Sequence, residues 1–129
     1  MSKYHNRVTF VNGIKFDSIK EANYYVFLKD LEKKGKISNL ELQKHYVLVP
    51  AVKRTIEVVK QLKTKVKVEV KEKEIQHAIE YIADFVYTDN ETGLVEVVDV
   101  KSEATRNDKV YRLKKKMMFA FNNIEIQEI

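Results

Sequence analysis

The chain has 129 residues, 44% of them hydrophobic and 33% charged, with one Pro and three Gly, which provides for one compact core and excludes a disordered segment. It has no cysteine, so a disulfide framework and a thiolate zinc site are both excluded. Lys and Arg number 24 against 19 Asp and Glu, a net charge of +5; that excess favours a polyanionic partner, although ordinary solubility also accounts for it.

His5, His45 and His77 are too scattered to suggest a metal-binding pair. MSKYHNR has no apolar core of the kind a signal peptide needs, and no run approaches the ~20 apolar residues of a membrane span. A cytoplasmic protein is expected. No linker or boundary is visible, so 1–129 reads as a single domain.

Residues 3–16 alternate around Val8, Phe10, Val11 and Ile14 with Asn12-Gly13 between them, which reads as a short hairpin or an extended lead-in. A helix follows from about Ser18 to Lys34. Ser18 and Glu21 form a capping-box pattern, Lys33 and Lys34 suit the negative end of the helix dipole, and Gly35 is a natural stop. Tyr24, Phe27, Leu28 and Leu31 recur at i, i+3, i+4 and i+7 and predict a buried stripe. Glu21 lies on or beside that stripe, so it is placed both to cap and to face the interior.

Ile37–Leu42 and His45–Val49 predict two short strands or one interrupted strand, ended by Pro50. From Thr55 to Glu74, Val66, Val68 and Val70 alternate with Lys65, Lys67, Glu69 and Lys71; a period of two favours an amphipathic strand over a helix. Its lysines suit nucleic acid, or simply a solvated strand face. Ile75–Tyr87 and Leu94–Lys101 then predict a hairpin across the turn residues 88–93.

LVEVVDVK is the strand the chemistry turns on. Asp99 and Lys101 point to one face, about 7 Å apart at their Cα atoms. With the turn centred near Asn90, Asp84 and Asp99 become diagonal cross-strand neighbours on that face, and a one-residue slip would separate them. Asp84 sits in IADFV, where an unpaired carboxylate is costly and tends to need a cation or a dense hydrogen-bond set. An ordinary strand end leaving the core would also explain Asp99 and Lys101.

Residues 102–108 read as a polar loop and 108–122 as a second helix, with Val110, Leu113, Met117 and Phe121 as its core stripe. Lys109, Arg112, Lys114, Lys115 and Lys116 place five positive charges within eight residues, fit for a phosphate channel or for a solvated face. IEIQEI closes the chain as a strand. The order predicts an α/β (α+β) fold: a small mixed sheet with a helix on each side, the second helix crossing from the Leu94 strand to the last one.

These residues suit one hydrolytic scheme. Asp84 and Asp99 would hold Mg²⁺ or Mn²⁺, hard cations that favour carboxylate oxygens, and Lys101 would orient or help deprotonate the attacking water, with Glu21 completing the shell. No GxxxxGK[ST] loop, GxGxxG turn or GxSxG elbow is present, which disfavours ATP, dinucleotide and serine-hydrolase chemistry.

The combination resembles the PD-(D/E)xK nuclease superfamily, whose αβββαβ core carries an acid on the first helix, an Asp on one hairpin strand and (D/E)-x-K on the next. Glu21, Asp84, and Asp99 with Lys101 match in order and setting, although Ala83 stands where the signature has Pro. FDSIKEANYYVFLKDLEKKGKISNLELQ, YIADFVY, VVDVKS and YRLKKKMM resemble a small phage and prophage family of such nuclease-like proteins, itself labelled only as of unknown function. That closer likeness covers about residues 10–129, with the Lys-rich segment 53–74 as a β elaboration.

The resemblance implies a restriction-endonuclease-like fold and a metal-dependent phosphodiesterase acting on DNA, an endonuclease rather than an exonuclease, with Asp84, Asp99 and Glu21 as ligands of Mg²⁺ (or Mn²⁺) and Lys101 as the catalytic lysine. Gln43 lies in the strand region where related nucleases often carry a polar site residue. Lys114 and Lys116 are expected on the DNA backbone, with Tyr111 and Thr105 as further contacts. The same likeness implies a homodimer for junction or restriction-type cutting, phage replication or recombination proteins as partners, and a phage-infected or lysogenic bacterial host. A non-cleaving nucleic-acid-binding accessory protein on the same fold is one alternative, and a structural or protein-interaction module whose acidic cluster is incidental is another.

Overall fold

The computed structural model describes residues 7–129; residues 3–6 of the expected lead-in, and His5, lie outside the described residues. The chain divides into two compact units, one built from the residues up to Tyr46 together with Tyr81–Ile129, the other from Val47–Glu80.

In the first unit, β1 (Thr9–Val11) and β2 (Ile14–Phe16) form the Asn-Gly hairpin. Asn12 and Gly13 both take positive φ, 51° and 80°, as a two-residue hairpin turn requires. Helix α1 (Ile19–Lys33) begins where Ser18 Oγ accepts the Glu21 N–H at 3.1 Å. It ends in a Schellman arrangement: the Lys36 N–H donates to Leu31 O, the Gly35 N–H to Glu32 O, and Gly35 supplies the left-handed residue.

Strand β3 (Ile37–Val49) is continuous, not two pieces, but Asn39 and Gln43 interrupt its backbone with φ of 56° and 51°. Strands β6 (Ile79–Asp89) and β7 (Val95–Asp99) form the expected hairpin. Helix α2 (Glu103–Arg106) occupies what reads in sequence as a polar loop, and α3 (Lys109–Asn122) follows from an Asp108 cap. The last strand is β8 (Ile126–Glu128). The four-stranded sheet runs β3-β6-β7-β8, antiparallel between β6 and β7 and parallel between β7 and β8, so the fold is mixed α+β with a mixed sheet and, among the described residues, three helices. Helices α2 and α3 make the crossover that a parallel β7–β8 pair needs.

One core cluster joins Phe16, Ala22, Tyr25, Leu28, Ile37, Phe85, Val98 and Val100, with the Tyr25 ring 5.0 Å from Phe16 and 6.5 Å from Phe85. The expected stripe is met in part on α1 and missed on α3. On α1, Leu28 is buried and Tyr24 and Leu31 pack against the core, with Glu21, Ala22 and Tyr25 buried beside them, while Phe27 is exposed. On α3 only Met118 is buried, and Val110, Leu113 and Phe121 are 59–61% exposed. There Tyr111 and Lys115 reach inward to Glu128, and i, i+4, i+7 geometry puts Met118 on their face.

The second unit carries β4 (Val52–Gln61) and β5 (Val66–Gln76), a separate two-stranded antiparallel ribbon. Leu62–Lys65 close its turn, the Leu62 N–H donating to Lys65 O at 2.8 Å. It contains the Lys-rich segment 53–74 whole.

Candidate active site

Asp84 and Asp99 meet at the open end of the β6–β7 hairpin. The turn is closed by hydrogen bonds from Asp89 N to Leu94 O and Gly93 N to Asp89 O, later than a centre at Asn90. The ladder therefore pairs Thr88 with Val95 through Phe85 with Val98, which brings Asp84 opposite Asp99 and not diagonal to it. Beyond Phe85 the side chains replace the ladder: the Asp84 N–H donates to Asp99 Oδ1 at 2.8 Å, and the Val100 N–H donates to Asp84 Oδ2 at 3.0 Å. Each carboxylate fixes the backbone of the other strand.

Strand β8 closes the other side of Asp99. The Ile129 N–H donates to Asp99 O and the Lys101 N–H to Ile129 O, so the backbone around D-x-K is held from both edges. Alternation then delivers Lys101 as expected, its Nζ 3.7 Å from Asp84 Oδ2 and 3.9 Å from Asp99 Oδ2. The Tyr111 ring lies 5.5 Å from that ammonium, and the Tyr111 hydroxyl donates to Glu128 Oε2 at 3.0 Å. Lys115 Nζ donates to Glu128 Oε1 at 2.6 Å.

Glu21 enters from the first turn of α1, and Gln43 links it to the sheet. Gln43 Nε2 donates to Glu21 Oε1 at 3.2 Å and to Asp84 Oδ1 at 3.3 Å. Its φ of 51° is unusual for a non-glycine residue within a strand and re-aims the side chain as a bulge does.

Burial dominates the electrostatics. Glu21 is pushed up to about 7, first by desolvation and then by the charges of Asp84 and Asp17, with Lys101 and an Asp17 N–H pulling the other way. Asp99 is 0% exposed, and burial raises its carboxyl, with Glu128 adding to the effect and Lys101 and the Asp84 N–H opposing it. Burial also raises the Tyr111 phenol, which donates to Glu128. Glu128 itself is held low: desolvation opposes ionisation, but hydrogen bonds from Lys115 and Tyr111 outweigh it.

Asp17, Ser18, Lys20, Glu21, Asp84, Val100, Lys101, Ser102 and Thr105 line a cleft of about 250 Å³. Thr105 is thus beside the acids, its Oγ1 3.1 Å from Ser102 Oγ. Lys114 is half-buried and lines neither this cleft nor the next. Lys116 lines a separate groove of about 670 Å³ with Arg106, Arg112 and Phe119. Tyr111 is engaged beneath Lys101 and on Glu128, and both lie in the same cluster as the acids.

Sequence reasoning misses Asp17, Lys20, Ser102 and Glu128. Ser102 carries a visible cap signal, accepting the Thr105 N–H, and Lys20 lies one residue before Glu21. Glu128 depends on the parallel register that pairs it with Asp99, which no local pattern reveals.

Among the described residues, no group of three or more His, Asp or Glu side chains forms a ready metal site. The donor set nonetheless fits a hard cation. Asp99 Oδ2 is buried without a hydrogen-bond partner, a costly condition for a carboxylate oxygen unless a cation completes it. Mg²⁺ is commonly held by one or two carboxylates with water and substrate phosphate, not by a full protein cage.

A family model described as a protein of unknown function (DUF1064) matches residues 1–129. No curated protein and no solved structure matches the chain.

Proposed function

We propose that this chain, which belongs to the DUF1064 family, is a metal-dependent nuclease that hydrolyses phosphodiester bonds in DNA. The observation that carries the proposal is the buried Asp99 Oδ2, which has no hydrogen-bond partner and faces Lys101 Nζ at 3.9 Å, with Asp84 Oδ2 also 3.7 Å from that ammonium. With the β1–β2 hairpin, the β4–β5 ribbon and α2 set aside, the element order is α1-β3-β6-β7-α3-β8, consistent with the αβββαβ core of the PD-(D/E)xK nucleases. Glu21 lies on α1, Asp84 on β6, Asp99 at the end of β7 and Lys101 two residues beyond it, an order that supports the reading.

Asp84 and Asp99 would hold Mg²⁺ or Mn²⁺, with Glu21 as a third acid at the edge of the shell. When bound, the ion supplies positive charge for the phosphate oxygens and makes an attacking water more acidic. Lys101 holds that water or a phosphate oxygen with its ammonium and offsets the charge that builds up in the transition state. The Tyr111 ring and the β8 clamp keep Lys101 aimed at the acids, and Gln43 keeps Glu21 and Asp84 in one arrangement. Thr105 and Ser102 supply neutral donors across the cleft, while Lys20 adds a cation at its rim.

The absence of a three-acid group among the described residues favours a second reading, a DNA-binding accessory protein with this frame and no cleavage. Incubation of a supercoiled plasmid with Mg²⁺, Mn²⁺ or EDTA separates the two. Nicking in the metals and none in EDTA is the expected result; binding without nicking supports the accessory protein.

A further inference from the structure

The β4–β5 ribbon takes no part in the cleft chemistry, yet its two faces differ sharply in charge. Cross-strand partners share a face, so the register from Lys53↔Glu74 to Gln61↔Val66 sorts the side chains directly. One face carries Arg54, Lys60, Lys67, Lys71 and Lys73 against a single carboxylate, Glu69. The other carries Lys53 against Glu57, Glu72 and Glu74.

The basic face is also ordered. Glu69 gathers three ammoniums, Lys60 at 3.3 Å, Lys67 at 3.1 Å and Lys71 at 3.5 Å, and those cations pull its carboxyl below the usual range. One carboxylate leaves most of the positive charge uncompensated, and the three lysines stay about half exposed. Lys63 and Lys65 extend the positive charge into the turn.

We infer that the β4–β5 ribbon is a second DNA-contacting element, which binds the phosphate backbone of duplex DNA through the face of Arg54, Lys60, Lys67, Lys71 and Lys73. The choice of DNA among polyanions rests on the nuclease reading; the basic face itself does not. Its charges extend along a ribbon about 30 Å long, with same-face rows about 7 Å apart, and a two-stranded ribbon fits the major groove of a duplex. An anionic membrane surface matches less well. A membrane-surface element combines cations and exposed apolar side chains on one side, whereas here the exposed Val59, Val66, Val68 and Val70 lie on the face opposite the lysines. The basic face offers only Ile56 and Val58, both half-buried, in the manner of apolar stems covered by long lysines.

The test measures equilibrium binding of a labelled duplex in EDTA, where no cleavage occurs, as a function of salt. Lys60, Lys67, Lys71 and Lys73 are changed together to Gln, and a control changes Lys15, Lys29, Lys33 and Lys34, which removes the same charge outside the ribbon. The ribbon variant should bind at least about tenfold more weakly near 0.1 M salt, its log K against log salt flattening by about 0.9 for each phosphate no longer neutralised. The control should retain most of the wild-type slope, and the four lysines changed to Arg should restore binding, which excludes a folding defect. Equal weakening in the ribbon and control variants overturns the inference, as does tighter binding to anionic phosphatidylserine vesicles than to duplex. Because the readout is binding without metal, it survives a failure of the nuclease reading. If plasmid nicking is present, the ribbon variant should raise KM and leave kcat unchanged.

Discussion

Asp84 and Asp99 lock the end of the hairpin together: the Asp84 N–H donates to Asp99 Oδ1 at 2.8 Å, and the N–H of Val100, next to Asp99, donates to Asp84 Oδ2 at 3.0 Å. Asp99 Oδ1 and both oxygens of Asp84 accept hydrogen bonds, and Asp99 Oδ2 is left buried without a hydrogen-bond partner, with only the Lys101 ammonium 3.9 Å away. The pair therefore fixes its own separation before any ligand arrives. In Asp84→Asn the replacement amide keeps one acceptor for the Val100 N–H, so folding should survive while metal binding is lost. Calorimetric titration with Mg²⁺ or Mn²⁺ should show heat for the wild type and none for the variant.

On the proposed nuclease reading, Lys101 separates binding from turnover. Lys101→Ala leaves Asp84 and Asp99 in place, so a metal-dependent rise in melting temperature should remain, while cleavage falls by roughly 10²-fold or more, the scale of losing one stabilising group at a developing charge. Thermal shift and single-turnover cleavage on the same preparation read the two effects apart.

Tyr111 positions that lysine from below. Tyr111→Leu removes the ring face 5.5 Å from Lys101 Nζ and should lower kcat by about three- to tenfold, since a cation–π contact contributes roughly 0.5–2 kcal/mol. Tyr111→Phe keeps the ring and loses only the hydrogen bond to Glu128, so it should stay within about twofold of the wild type. Equal losses in both variants would assign the effect to Glu128.

Glu21 links pH to stability in the metal-free protein. Folding raises its pKa from 4.5 to about 7, so the folded state holds the proton more tightly than the unfolded chain. The associated stability is fully present below the unfolded value and is lost as pH rises through about 7, a change of roughly 2–3 kcal/mol. Glu21→Gln abolishes this titration. Urea unfolding in EDTA should therefore show the wild type losing stability relative to Glu21→Gln between pH 5 and pH 8; parallel curves would place Glu21 in solvent.

Much of this frame was legible in local sequence. Ser18 and Glu21 announced the start of α1, Gly35 its end and Asn12-Gly13 the first hairpin, because capping and turn chemistry act over three or four residues. The helix faces were legible only in part. On α1, Leu28 is buried, Tyr24 and Leu31 pack against the core and Glu21 faces inward as expected, but Phe27 is exposed and Ala22 and Tyr25 take its place. The α3 stripe was not legible: Tyr111 and Lys115 turn inward to Glu128 and leave Val110, Leu113 and Phe121 exposed. Asp84, Asp99 and Lys101 came together as expected, yet directly opposite rather than diagonally, because the hairpin register followed a turn closed by Asp89, Gly93 and Leu94. Gln43 needed a left-handed backbone to reach Glu21 and Asp84, a feature no alternation pattern encodes.

Gln43 offers a prediction from that strain. Gln43→Gly relieves a positive φ that costs a non-glycine residue about 1 kcal/mol and removes the bridge between Glu21 and Asp84. Chemical denaturation should show little change or a small gain in stability, while cleavage falls severalfold. A loss of stability with unchanged cleavage would make the bridge structural only.

If Asp84, Asp99 and Lys101 cut DNA with a divalent metal, the most direct test is cleavage of a labelled panel of duplex, single-stranded, flap and four-way-junction DNA with Mg²⁺, Mn²⁺ or EDTA, wild type beside Asp99→Ala. Metal-dependent products from the wild type, absent in EDTA and absent for Asp99→Ala, are predicted. Cleavage by Asp99→Ala at the wild-type rate, or no cleavage of any substrate by a wild type that binds DNA, would contradict it.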